Sequence, residues 1–135
     1  MLRKLLYLCL FIIVLTGTFV CAQDKENNII NWQQVSDNNF IDPDGIVGTE
    51  DIYGFTFILK SYNKGQYEPI NGREIQYTLS QYTIDCLKNR YKIGVIDSYD
   101  KFGHFVNGDY NKYAKFQPIV SGTAVGAVAK NLCKP

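Results

Sequence analysis

QYTIDCLKNRYKIGVI, residues 81–96, carries the one cysteine in the middle of the chain and decides how the rest is read. Its Tyr, Ile and Val content marks it as β-strand. Within it the apolar positions change phase: Tyr82, Ile84 and Cys86 are even, whereas Tyr91, Ile93 and Val95 are odd. Side chains alternate strictly along a strand, so a phase change means a turn, a bulge or an exchange of the covered face. A bulge is expected near Lys88 and Asn89. No Cys or His stands near Cys86 at metal-ligand spacing, so its use depends on a distant group.

The start of the chain supplies the compartment. Arg3 and Lys4 are followed by an unbroken apolar run over 5–15 and by small residues before a polar segment, the order of a secretory signal peptide. Val20 and Ala22 suit cleavage after Ala22. The apolar run falls short of the roughly 20 residues that a bilayer span needs, so no transmembrane span is expected in the mature chain. A lipid-anchored Cys21 is the lesser alternative, because the residue before it is the branched Val20. Residues 1–22 are thus read as a signal peptide, 23–30 as a flexible lead and 31–135 as one domain of modest core.

Of the four cysteines, Cys9 lies in the signal core and Cys21 is either removed or lipidated. Cys86 and Cys133 remain, in a chain sent to an oxidising compartment, so they are expected to form a disulfide. Two reduced buried thiols are the alternative. After cleavage the charges nearly balance, which gives no reason to expect a nucleic-acid partner.

Along the rest of the chain, a first strand is expected over 29–35 around Trp32, with breaks at SDNN and DPDG. Residues 52–62 form the clearest strand, with Phe55, Phe57 and Leu59 on one face and Thr56 and Lys60 on the other. Asn71-Gly72 is a tight-turn signal. Ile75, Tyr77 and Leu79 continue an odd phase, so a break is expected near Ser80 and Gln81. At the end, Val125, Val128, Ala129 and Leu132 fall on one helical stripe with Cys133 beside it, and Ser121 is the expected N-cap. Gly122 and Gly126 weaken this helix. It therefore needs the sheet beneath it, and a bond to Cys86 would hold it there.

Trp32, NFID with Ile46 following, FTFILKSY, DCLKNRY, FQPIVSG and Cys133 occur in an order that resembles the surface-adhesin protein E family, over residues 31–134. Phe116 stands two places before Pro118, where the family usually has a Trp before the Pro. The resemblance implies an α+β fold: a curved antiparallel β-sheet of about six strands, with one C-terminal α-helix across its concave face and tied by the disulfide. It also implies adhesion to host extracellular matrix proteins at the bacterial envelope, and a homodimer.

The candidate partner-binding residues are Lys88, Arg90 and Lys92, at alternate positions, with Tyr82 and Tyr91 as nearby aromatic anchors. Such a run also suits the solvated side of a strand. Tyr53, Tyr62, Tyr67, Tyr110 and Tyr113 lie in or beside expected loops, where tyrosine suits binding surfaces. Nothing favours catalysis: there is one histidine, His104, and no Gly-x-Ser-x-Gly elbow. Residues 40–51 have the outline of a calcium loop through Asp42, Asp44, Gly45 and Asp51, but Phe40 offers no oxygen at the first place. No metal or other cofactor is expected. The chain is read as a non-enzymatic exported binding protein. A periplasmic accessory protein, or a carrier holding a small ligand between helix and sheet, is the alternative.

Overall fold

A computed structural model describes residues 30–134 of the 135. The signal peptide, its cleavage after Ala22, the Cys21 alternative and nearly all of the expected lead lie outside the described residues. Strands β1 (Gln33–Ser36), β2 (Asn39–Ile41), β3 (Val47–Gly48), β4 (Gly54–Tyr62), β5 (Tyr77–Asp85), β6 (Arg90–Tyr99), β7 (Phe105–Tyr110) and β8 (Gln117–Pro118) are followed by helix α1 (Ala124–Leu132). Every pairing is antiparallel. The sheet runs β1-β2-β4-β5-β6-β7, with β3 beside β4 and β8 beside β6. Among the described residues the expected antiparallel sheet of about six strands with one C-terminal helix is met, and the sheet is open.

Alternation in β4 behaves as read: Phe57 and Leu59 are buried toward the helix while Thr56, Ile58 and Lys60 take the other side. Ile41, Ile84, Val125, Val128 and Ala129 complete the core, with Phe57 and Ile84 fully buried and Val128 at 1% exposure. Each such side chain contributes about 1.5–3 kcal/mol on leaving water. Gly54 closes one corner of this layer. A Cβ there would collide with the carbonyl oxygen of Ile84.

Residues 81–96 form a hairpin rather than one bulged strand. β5 ends at Asp85, residues 86–89 turn, and β6 starts at Arg90. Asn89 takes the left-handed conformation (φ 49°), which asparagine tolerates. Asp85 holds the turn by accepting the Lys88 N–H at 3.2 Å and the Arg90 Nε–H at 2.9 Å. Ile84 therefore faces Tyr91 across the reversal, and even positions before it share a face with odd positions after it. Cys86 sits at the head of the turn, its N–H donating to the carbonyl of Tyr53.

The break expected near Ser80 and Gln81 is absent: β5 passes through both. Tyr77 and Leu79 pair with Tyr99 and Asp97 on the face away from the helix, so their phase marks a second apolar face and not an interruption. The irregularity is on the neighbouring strand, where Gly94 is the extra residue between Ile93 and Val95. The first strand also starts later than expected, at Gln33, with Trp32 just before it.

Cys86 and Cys133 are bonded, with Cα atoms 5.4 Å apart and 47 positions between them in sequence. Helix α1 begins later than Ser121 suggested. Gly122 is left-handed (φ 86°), and Thr123 is the cap, its hydroxyl accepting the Gly126 N–H at 3.1 Å and donating to the Val120 carbonyl at 2.6 Å. Gly126 allows this fold-back, since a Cβ there would lie 2.6 Å from the Val120 oxygen. The glycine that weakens the helix is also what lets its entry pack.

Candidate binding surface

The helix covers one face of the sheet, and alternation sends a different set of side chains to the other. Phe40 on β2, Tyr62 on β4, Tyr77 on β5, Tyr99 on β6 and Phe105 on β7 line up there across five strands. Successive ring centroids are 5.7, 5.9, 5.0 and 6.0 Å apart. Tyr77 and Tyr99 are directly paired and stacked, 10° from parallel. Cross-strand aromatic pairs of this kind contribute about 0.5–1.5 kcal/mol beyond area burial. Lys60 lies in the row's first half, its Nζ 5.3, 5.0 and 4.5 Å from the ring centres of Trp32, Tyr62 and Tyr77. The cation is held against three ring faces.

At the far end, the β6–β7 turn is stiffened by one carboxylate. Asp100 accepts N–H groups of Phe102 and His104, both at 2.9 Å, and the Arg73 guanidinium at 2.6 Å. The hydrogen bond from Arg73 is the main reason its pKa falls from 3.8 to about 2. Desolvation opposes the fall, and the two backbone N–H groups and the Arg73 charge add to it. Arg73 also donates to the Phe105 carbonyl. This bonding holds the turn in place while Phe102 and Phe105 stand 71% and 54% exposed. Rigid aromatic side chains presented at low entropy cost are favoured anchors at protein interfaces.

The five residues singled out from the sequence do not form one patch. Tyr82 stacks on Phe57 and Tyr91, on the helix-covered side. Burial, with Tyr91 and Tyr67 nearby, raises its phenol to about 12. Arg90 and Lys92 are on the opposite side, both against the ring of Phe116, at 4.2 and 5.0 Å from its centre. Lys88 is in the turn, off the strand. Arg90 is committed to Asp85, whose side chain is 3% exposed. Burial pushes the Asp85 carboxyl up, but the Arg90 hydrogen bond, the Lys88 N–H and their charges outweigh it and hold it below the ordinary value. Of the loop tyrosines, Tyr53, Tyr67, Tyr110 and Tyr113 are exposed, and Tyr62 belongs to the row.

Other sequence features find structural uses. Asp42 accepts the Asp44 N–H at 3.0 Å and caps the one-turn 3-10 helix Pro43–Gly45. The side chain of His104 is exposed at the hairpin. Among the described residues no helix is long and apolar enough to cross a membrane.

The model of the family described as Surface-adhesin protein E matches residues 32–134. The chain belongs to this family. Two solved structures of Haemophilus influenzae protein E share the fold. The first, crystal form II, has TM-score 0.54 and 17% identity over 71% of this chain and 80% of that one. The second has TM-score 0.53 and 17% identity over 71% and 76%. At that identity the likeness establishes the fold. No curated relative matches the chain.

Proposed function

We propose that the chain is a non-enzymatic adhesin of the bacterial envelope that engages host extracellular matrix proteins through the open face of its sheet. The observation that carries this reading is the aromatic row from Phe40 to Phe105, placed on the face that the helix does not cover and ending at a rigid, exposed turn. Family membership supports the surface role. Lys60 and the cations at the start of β6 add a charged component, so binding should weaken in part at high salt. The helix–sheet interface is filled by Phe57, Ile84 and Val128, which weighs against a carrier that holds a small ligand there. Export with cleavage after Ala22 fits the sequence pattern, and a Cys21 lipid anchor would show as added mass on the mature N-terminus. The outer edge of β7 is open to strand pairing and supports a homodimer.

The test is binding of the oxidised protein to immobilised matrix proteins, alongside Phe102→Ser/Phe105→Ser and a Lys130→Ala control on the helix. Micromolar binding by the parent and the control, with about tenfold loss in the double variant, is expected. Failure of the parent to bind any member of the panel would remove the adhesive role. Full retention by the double variant would move the site off this end of the open face.

A further inference from the structure

The segment joining β7 to β8 contains YNKYAKF, residues 110–116, in which Tyr110, Tyr113 and Phe116 alternate with Lys112 and Lys115. It is not a loose loop. The Asn111 N–H donates to the Gly94 carbonyl at 2.8 Å, and the Ile119 N–H donates to Asn89 at 3.0 Å. Between these ends the Ala114 N–H reaches the Asn111 carbonyl, and the Tyr113 N–H reaches the Asn111 side chain, both at 3.1 Å. Gln117 pairs with Tyr91 and Pro118 with Arg90, so the segment runs antiparallel along the first half of β6. Phe116 is packed under Arg90 and Lys92. Tyr110 and Tyr113 are 70% and 77% exposed, with Lys112 Nζ 4.9 Å from the Tyr113 ring centre.

The charges here lean positive, although the exposed Asp109 stands next to Tyr110, paired with Ile96. No acidic residue occurs at 86–96 or at 110–135, which together carry seven Lys and Arg. Asp85 uses its charge on Arg90, leaving Lys92, Lys112 and Lys115 for an external anion. Asp97 is on the same side of β6 but lies beyond the pair formed by Val95 and Tyr110. Over the whole chain the net charge is only +1, so the positive field is local to this strip.

We propose that Lys92, Lys112 and Lys115, with Tyr110 and Tyr113 between and beside them, form a binding strip for a linear acidic polysaccharide. Its sulfate or carboxylate groups pair with the ammonium groups, and its sugar rings lie on the exposed tyrosines. Spaced cations separated by aromatic surface match a polymer in which anionic groups alternate with ring faces. The strip shares Lys92 with the charged part of the proposed protein-binding face but lies away from its Phe102–Phe105 end, so a Phe102→Ser/Phe105→Ser variant tells the two roles apart.

The probe is heparin, titrated against the oxidised protein at several NaCl concentrations. The parent should bind with a log–log salt slope of about 3, one released counterion for each of the three free lysines. Lys92→Gln/Lys112→Gln/Lys115→Gln should lose at least about tenfold in affinity and most of the slope, while unfolding at the parent's temperature. Tyr113→Ala should lose about threefold with the slope kept. Lys64→Gln/Lys101→Gln and Phe102→Ser/Phe105→Ser should bind as the parent does. A triple variant that binds like the parent overturns the proposal, as does an equal loss in the Lys64/Lys101 control. Single-stranded DNA binding as tightly as heparin at equal salt, or no effect of Tyr113→Ala, would overturn the assignment to polysaccharide.

Discussion

Removing the Cys86–Cys133 bond should cost this domain a large share of its stability, and the loss has a size and a place. The bond closes a loop between residues 47 positions apart. For a loop of that length the chain-entropy relation predicts about 4 kcal/mol at 25 °C, against a usual total of about 5–15 kcal/mol. The place is α1. At nine residues with Gly126 inside, it is shorter than the roughly 12–15 residues at which isolated helices become even marginal. Its docking rests on Val125, Val128 and Ala129 and on the tether at Cys133. Cys86→Ala/Cys133→Ala should therefore unfold in urea with a stability loss of about 3–4 kcal/mol. Amides at the end of α1, such as Cys133 N–H to Ala129, should exchange well before those of β4 and β5. Fluorescence of Trp32, the single tryptophan, reports the sheet, and far-UV circular dichroism reports both layers. Probes that coincide in the parent should separate in the variant. A loss below about 1 kcal/mol, or helix amides as protected as before, would refute the view that the bond holds a helix unable to stay docked alone.

Three further outcomes follow from the same geometry. Asp100 is depressed from 3.8 to about 2, so the stability it contributes is present above its unfolded value and is lost as pH falls through that interval. NMR titration of its carboxyl carbon should find a midpoint near 2, and a midpoint at 3.8 or higher would contradict the Arg73 contact. Gly54→Ala should destabilise by about 1–3 kcal/mol in urea unfolding, because its Cβ meets the Ile84 carbonyl and the two strands must part to admit it. Thr123→Ala should cost about 1 kcal/mol, with Ser121→Ala near zero, which equilibrium unfolding of the two variants would check.

Much of the fold was legible in the sequence because two of its signals are local and one is arithmetic. Phe57 and Leu59 alternate against Thr56 and Lys60 in a strand covered on one side. Val125, Val128 and Ala129 recur at the helical period. Once Cys9 and Cys21 are assigned to the expected signal segment, Cys86 and Cys133 have only each other. What misled was phase. The change between Ile84 and Tyr91 reads equally well as a bulge or a reversal, and only the conformation of Asn89 and the bonds to Asp85 decide for a hairpin. The helix start was misplaced because Ser121 and Thr123 are both good caps, and the left-handed Gly122 between them is a backbone fact.

The candidate site was less legible, for a related reason. Apolar alternation shows that a strand has an apolar side but not which layer covers it. In β4 the buried side is odd, and in β5 it is even, so the odd phase of Tyr77 and Leu79 reads as a break when it marks the open face. Aromatic residues at Phe40, Tyr62, Tyr77, Tyr99 and Phe105 are scattered in sequence and become a row only through register. The same register separates Tyr82 and Tyr91 from Arg90 and Lys92, although all four lie within eleven positions of one another. A five-ring row costs solubility unless something offsets it. Lys60, lying against Tyr62 and Tyr77 of the row and against Trp32 beside it, and Asp97, two places before Tyr99 on β6, keep charge on that face. A face needed only to close a core would be covered or made polar. Here Phe40, Tyr62, Tyr77 and Tyr99 stay half-buried, charges lie among them, and four hydrogen bonds, from Arg73, Phe102 and His104 to Asp100 and from Arg73 to Phe105, fix an end at which Phe105 is exposed, which is the arrangement the proposed binding role needs.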